Sequence, residues 1–215
     1  MTLPVIAIDG PAASGKGTLA RRIAQVLGFA HLDTGRLYRA VGLAVLKRGE
    51  DPTDPAAAQR AVEALDLSLL EDPDLRSDTT GGAASKVAAI QTVRDALLDF
   101  QRNFAAHPPG GKGAVLDGRD IGTIICPDAA VKLFVTASPE IRAKRRFLEL
   151  QAQGSTRTEE QVLTDIQTRD ARDSGRAVAP LRQAGDATLL DTTHLDIETA
   201  VARALEIVRA GLGVT

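Results

Sequence analysis

The chain has 215 residues, of which 44% are hydrophobic and 25% charged, enough for one compact α/β domain and outside the disordered, collagenous and low-complexity classes. Lys and Arg total 26 against 28 Asp and Glu, a net charge of -2, which argues against a protein that coats a polyanion. Arginine nonetheless outnumbers lysine 20 to 6, and its planar fork grips phosphate or carboxylate oxygens bidentately, so small anionic ligands stay open.

The single cysteine, Cys126, excludes an internal disulfide and fits a reducing cytoplasm. The start, Met-Thr-Leu-Pro-Val-Ile-Ala-Ile-Asp, lacks the basic and apolar regions of a signal peptide. No stretch approaches the roughly 20 apolar residues of a membrane span. Five Phe, one Tyr and no Trp argue against a base-stacking platform for single-stranded nucleic acid. Three scattered histidines with one cysteine do not compose a zinc site.

Short apolar runs alternate with amphipathic helices, the pattern of a parallel sheet covered on both faces. The first strand is Val5 to Ile8. Leu19, Ala20, Ile23, Ala24 and Leu27 form a helical stripe stopped by Gly28. A weak strand spans Phe29 to Leu32, and a helix runs from Leu37 through Val45, closed by Gly49. Asp54-Pro55 starts another helix, Asp as cap and Pro at its first position. Residues 66–84 read as an irregular excursion, followed by one long helix from Ser85 to about Ala105 and a break at Pro108-Pro109-Gly110-Gly111. Ala114 to Leu116 and Val131 to Val135 are strands, and Pro139 opens a helix rich in Arg and Lys. A last strand, Thr188 to Leu190, precedes a helix with Ile197, Ala200, Val201, Ala204, Leu205 and Val208 on one stripe.

The strongest chemical signal lies between the first strand and first helix. Gly10, Pro11, Ala12, Ala13, Ser14, Gly15, Lys16, Gly17 and Thr18 have the composition and place of a phosphate loop. Glycines let backbone N–H groups converge on phosphate oxygens, the helix N-terminus adds positive potential, and Lys16 reaches the outer phosphates. Gly17 stands where the common pattern has Ser or Thr, and Gly-Lys-Gly-Thr resembles the nucleoside monophosphate kinases. A guanine-reading Asn-Lys-x-Asp is excluded because the only asparagine, Asn103, precedes Phe104.

Three constellations look built for a second anion. Asp33-Thr34-Gly35-Arg36 with Tyr38-Arg39 lies at a strand end, with Thr34 placed to cap the helix that follows. Asp117-Gly118-Arg119-Asp120 lies at the carboxyl end of another strand, where open α/β sheets hold ligands. Arg169, Arg172, Asp173 and Arg176 extend the apolar line of Val162 and Ile166, so they point inward, where several Arg with one Asp need an anionic partner. The row Arg142, Lys144, Arg145 and Arg146 reads as a solvated face.

These blocks, with Ala84-Ser85-Lys-Val-Ala-Ala89, Val93-Arg94, Leu116 to Thr123 and Arg169 to Pro180, resemble the bacterial cytidylate kinases in order over nearly the whole chain. The resemblance implies an α/β, three-layer P-loop nucleoside monophosphate kinase fold: a five-stranded parallel sheet, a helical acceptor-binding insert and a short lid. Within one domain spanning 1–215, the core would comprise about 1–35, 110–151 and 181–215, the insert about 36–109, and the lid region about 152–180, moving chiefly across Gly154 to Thr164. It implies ATP as phosphoryl donor with Mg²⁺, CMP or dCMP as acceptor, no nucleic-acid or membrane partner, and a monomer.

Carried over residue by residue, the resemblance sets cytosine against Ser85, Arg94 and Asp120, and the sugar near Arg169 and Asp173. It sets the acceptor phosphate against Arg39, Arg119 and Arg176, with Thr34 and Asp117 lining the site. Lys16, Arg119, Arg172 and Arg176 take the catalytic roles. No direct metal ligand is assigned, with Thr18 the candidate contact. A carboxylate for the N4 amino donor and Arg or Ser for the acceptor edge is the set that complements cytosine. The family's small β-rich elaboration between the segments matching Leu69-Leu70 and Arg76 is reduced here to Glu71 through Leu75. Rival readings are a UMP/CMP or adenylate kinase, a kinase for a non-nucleotide metabolite, and a nucleotide-binding ATPase without a small acceptor.

Overall fold

A computed structural model describes residues 3–214. Five strands, β1 (Val5–Asp9), β2 (Ala30–Asp33), β3 (Ala114–Gly118), β4 (Val131–Thr136) and β5 (Thr188–Asp191), form one sheet in the order β2-β3-β1-β4-β5. Every pairing is parallel. Alternate side chains serve opposite faces. Ile6 and Ile8 join Val115, Leu133 and Val135 against helices α1 (Lys16–Leu27) and α8 (Ile197–Leu212). Ala7, Ala114 and Leu116 turn the other way, towards Ala105 of α5 (Gln91–Ala106) and the wide helical turn Ile121–Ile125. This is the expected three-layer α/β architecture. Because all strands run the same way, their carboxyl ends share one edge, which carries the phosphate loop, Thr34, Arg119 and Thr192.

Between β2 and β3 lie α2 (Thr34–Lys47), α3 (Pro55–Glu63), α4 (Asp78–Val87) and α5, with a separate apolar core of Leu37, Val41, Val45, Ala58, Val87 and Val93 among others. The expected excursion over 66–84 is only partly irregular. Two short 3₁₀ turns, Leu67–Glu71 and Pro73–Arg76, replace any β-rich elaboration, and α4 then begins at Asp78. Ser77 caps it, its hydroxyl accepting from the Thr80 N–H at 3.1 Å. Two mid-helix glycines cost about 1 kcal/mol each against Ala, but tertiary packing overrides that cost. A Cβ at Gly81 would lie 2.9 Å from the Arg39 guanidinium, and one at Gly42 of α2 would lie 2.8 Å from the Ala84 nitrogen.

The single long helix expected from Ser85 is two helices. Ala88 ends α4 and extended Ile90 precedes α5, turning the chain between them. At the start of α2 the cap is Asp33, whose side chain accepts from Arg36 N–H, so Thr34 is already helical and its hydroxyl is free for another partner. The last helix buries Ala200, Val201, Ala204 and Val208 as expected, whereas Ile197 is 60% exposed at its first turn. No helix among the described residues is long and apolar enough to cross a membrane.

Ile8→Ala removes a fully buried side chain from the central strand and is expected to cost about 3 kcal/mol in a denaturant melt. Ile197→Ala is expected to stay within about 0.5 kcal/mol of the parent.

Candidate active site

The loop between β1 and α1 is shaped by steric limits. A Cβ at Gly10 would lie 2.0 Å from the Val135 carbonyl oxygen, so only glycine passes the neighbouring strand. Gly15, with φ 90°, turns the chain into α1, and Ala13 also adopts positive φ, 57°. Lys16 donates to the Pro11 carbonyl at 3.2 Å, folding back over its own loop. Burial, and next the Arg119 guanidinium, push the Lys16 ammonium down to about 7. A cleft of about 830 Å³ adjoins the loop, lined by Gly15, Thr18, Arg145, Leu148, Thr192 and Ile197 among others.

The acceptor side is a knot of charges. Asp173, from α7 (Glu159–Ser174), is 1% exposed. One of its oxygens accepts from Ser85 Oγ at 2.6 Å and Arg176 Nη2 at 2.5 Å. The other accepts from Arg119 Nε at 3.1 Å, with Arg169 Nε 3.8 Å away. Burial alone would raise this carboxyl, but Arg119, Arg176 and Arg169 outweigh it and hold it below the usual carboxylate range. The guanidinium groups are left in excess. Nε of Arg169 and of Arg176 is buried without a hydrogen-bond partner, and burial, with Arg119 beside it, pushes Arg169 down to about 9.

Arg94 and Asp120 face each other as a buried hydrogen-bonded pair, with Arg94 also 5.8 Å from the Tyr38 ring centroid. Burial pushes the Asp120 carboxyl up against the pull of Arg94. Thr34, Tyr38, Ser85, Arg94, Arg119, Asp120, Arg169, Asp173 and Arg176 surround about 50 Å³ of space. Arg39, on α2, does not line this space; it lines the neighbouring cavity with Arg169 and Arg172 and donates to the carbonyls of Leu75 and Ser77 at 2.8 and 3.1 Å.

Thr34 donates to the Asp117 carbonyl at 2.8 Å, tying α2 to β3. The Asp117 carboxylate accepts from His31 Nε2 at 2.7 Å and stands opposite Asp33, its register partner. Burial, then Asp117, push the Asp33 carboxyl up. Arg172 is apart from the Asp173 knot and lines a second cavity of about 350 Å³, shared with Ala13, Arg39, Asp78, Arg146 and Arg157 among others. Arg176 lies past the end of α7, so its stripe reaches the site through the chain after Gly175 rather than by helical spacing.

The supposed solvated row is the main correction. Arg142 is 3% exposed and donates to the Ala137 carbonyl at 2.8 Å, the Ala12 carbonyl at 3.3 Å and both oxygens of Asp170. It thereby fastens α6 (Pro139–Ala152), α7 and the phosphate loop together. Arg145 binds Thr192, and Arg146 binds Asp78; only Lys144 is exposed. The signal was available in the spacing: Arg142 and Arg146 are i, i+4 with Leu150, which is buried.

A family model described as Cytidylate kinase matches residues 6–210. The chain belongs to the cytidylate kinase family. A cytidylate kinase of Rhodospirillum rubrum is 62% identical over 204 residues, covering 94% of this chain and 96% of that one. One of Azorhizobium caulinodans is 60% identical over 209 residues, covering 97% and 100%. The crystal structure of an uncharacterized protein from Eubacterium ventriosum shares the fold at 13% identity and a TM-score of 0.56, covering 97% and 99%.

Arg142→Met leaves Asp170 and two carbonyls without their donor and is expected to cost about 3 kcal/mol. Thermal or urea melts check this, and a loss under about 0.5 kcal/mol would return Arg142 to the surface.

Proposed function

We propose that the chain transfers the γ-phosphoryl group of ATP to CMP or dCMP, giving ADP and CDP or dCDP. The observation that carries this is the ring of Arg119, Arg169 and Arg176 around one carboxylate, with two buried guanidinium nitrogens unpartnered. Buried cations in excess call for an anion, and a nucleoside monophosphate brings a dianion of the right size. The neighbouring Arg94–Asp120 pair supplies the complement to cytosine: Asp120 accepts from the N4 amino group, while Arg94 and Ser85 donate to O2 and N3. Uracil would turn a carbonyl oxygen towards Asp120, at a cost of a few kcal/mol.

An oxygen of the acceptor phosphate attacks the γ-phosphorus, and the bond from that phosphorus to the β,γ-bridging oxygen breaks. The nucleophile arrives ionised, so no general base is needed, and the protein's part is positioning and charge neutralisation. Arg39, Arg119 and Arg176 hold the acceptor phosphate, Arg169 and Asp173 meet the sugar, and Lys16 and Arg172 face the transferring group. The insert, about 36–109, and the lid region, about 152–180, close over the cleft to exclude water. The donor base takes the apolar cleft beside Thr192 and Ile197.

The residues fit Mg²⁺ delivered with ATP. Asp33 and Asp117 face each other at adjacent strand ends, and the Cβ position of Gly17 is 3.6 Å from an Asp117 oxygen, so two carboxylates look onto the loop beside Thr18. The ion would be held by ATP with Thr18 and these carboxylates around it, and supplies charge neutralisation of the phosphates. The chain acts on small molecules as a monomer in the cytoplasm, with no nucleic-acid partner.

Initial rates with ATP over CMP, dCMP, UMP and AMP, with and without Mg²⁺, test the reading. CMP and dCMP are expected to turn over, UMP at least about tenfold less efficiently; AMP as preferred acceptor, or hydrolysis without any acceptor, overturns it. Arg119→Ala is expected to lower kcat/KM for CMP about a hundredfold, with the dissociation constant for ATP little changed.

Proton uptake gives a further check. Lys16 at about 7 is mostly neutral at pH 8 in the free protein, and a triphosphate beside it favours the charged form. Binding of ATP at pH 8 is therefore expected to take up about one proton, and little at pH 6, where Lys16 is already charged. Calorimetry in buffers of different ionisation enthalpy measures the difference.

A further inference from the structure

Asp9, the last residue of β1, takes no part in the chemistry described above, yet it is 4% exposed and fully engaged. One carboxylate oxygen accepts from the Ile121 N–H and the other from the Gly122 N–H, both at 2.8 Å. These are the first two amides of the turn Ile121–Ile125, and the opening amides of any helical turn have no partner within it. The usual remedy is the side chain of the preceding residue, for which Asp is among the best.

Here the preceding residue is Asp120, and it makes no such bond. Its backbone, φ -145° and ψ 24°, is not helical, its carbonyl accepts from Ile124 and Ile125, and its carboxylate turns to Arg94. Gly122 admits the substitute cap, since a Cβ there would lie 3.4 Å from the Asp9 oxygen and 3.1 Å from Lys132 Cδ. Burial pushes the Asp9 carboxyl up to about 6, with the two amides and Lys16 pulling it down and Asp120 pushing it up. It is therefore ionised at neutral pH, with both oxygens able to accept.

We propose that Asp9 is a positioning residue for base selectivity: by capping the turn from the neighbouring strand, it frees the Asp120 carboxylate to face the acceptor's base. The inference rests on the reading that Asp120 accepts from the cytosine amino group. Without Asp9, two buried amides lose their acceptor, and Asp120 is the carboxylate placed to swing back onto the Gly122 N–H. Arg94 then loses its partner and the base loses its reader. Asp9 touches neither nucleotide in this scheme. It acts through Asp120.

The test compares kcat/KM for CMP and UMP in the parent, Asp9→Asn, Asp9→Ala and Asp120→Asn, with the ATP dissociation constant measured alongside. Asn keeps one acceptor, so the CMP:UMP ratio is expected to fall about threefold in Asp9→Asn and about tenfold in Asp9→Ala, with ATP binding within about twofold. A merely loosened protein would lose turnover on both pyrimidines alike. If Asp9→Ala does not fold, the isosteric Asp9→Asn reads the same ratio. Should both Asp9 variants keep the parent ratio while Asp120→Asn collapses it, the inference is overturned and the base reading stands. Should Asp120→Asn keep the ratio, the base reading falls and takes the inference with it.

Discussion

One carboxylate in contact with several guanidinium groups, Asp173 among Arg119, Arg169 and Arg176, is the interaction on which the acceptor site depends. A lone buried arginine would be expensive. Sharing an Asp lets three approach one another from the end of β3, from α7 and from the chain beyond it. The arrangement is poised rather than satisfied: positive charge exceeds negative, and burial, with Arg119 beside it, lowers the Arg169 ionisation. The shared carboxylate offsets part of that cost, and an anionic ligand would offset the rest. The parallel sheet brings the end of β3 to the edge where this cluster forms.

The segment between β2 and β3 bears on how that edge is covered. Two 3₁₀ turns lead into α4, with Asp78 at its head. Its oxygens accept from Arg146 of α6 at 2.7 Å and from Arg157, between α6 and α7, at 3.0 Å. Arg157 also binds Asp165 of α7. Arg39 completes the join from α2 by gripping the carbonyls of Leu75 and Ser77. Ion pairs thus join this segment to α6 and to the chain between α6 and α7, and partly exposed pairs of this kind are individually weak enough to open.

Much of this was legible in the sequence because period and punctuation agreed. Strand, glycine loop and helix in that order pointed to the phosphate loop, and Arg119 and Asp120 of one block line the same space as Arg169, Asp173 and Arg176 of the other, with Arg172 turned to the neighbouring cavity. The failures share a physical cause: tertiary contacts overrode local preference. Gly81 and Gly82 read as a break, but the missing side chain of Gly81 lets α4 lie against Arg39, and that of Gly42 lets α2 meet Ala84, while Gly82 faces open space. Arg142 read as solvated because cations on a helix usually are, whereas it is fixed by Asp170, 28 residues away, and by the phosphate-loop carbonyl of Ala12. Asp9 carried no signal of its own, since its partners are backbone amides 112 and 113 residues distant.

The compact acceptor pocket follows from the same electrostatics. About 50 Å³ remains among side chains that would have to surround a nucleotide, because Arg94 holds Asp120 and Arg176 holds Asp173 and Ser85 in its place. In the proposed reading these pairs stand in for ligand contacts. Each base or sugar group that enters exchanges one buried hydrogen bond for another, so no charge is stranded while the site changes hands. The exchange also limits affinity, since part of every new bond replaces an old one. In the proposed reading the phosphate is drawn by the excess guanidinium charge around Asp173, where Nε of Arg176 is buried without a hydrogen-bond partner. The acceptor's phosphate is then expected to supply much of the binding energy and its base most of the discrimination.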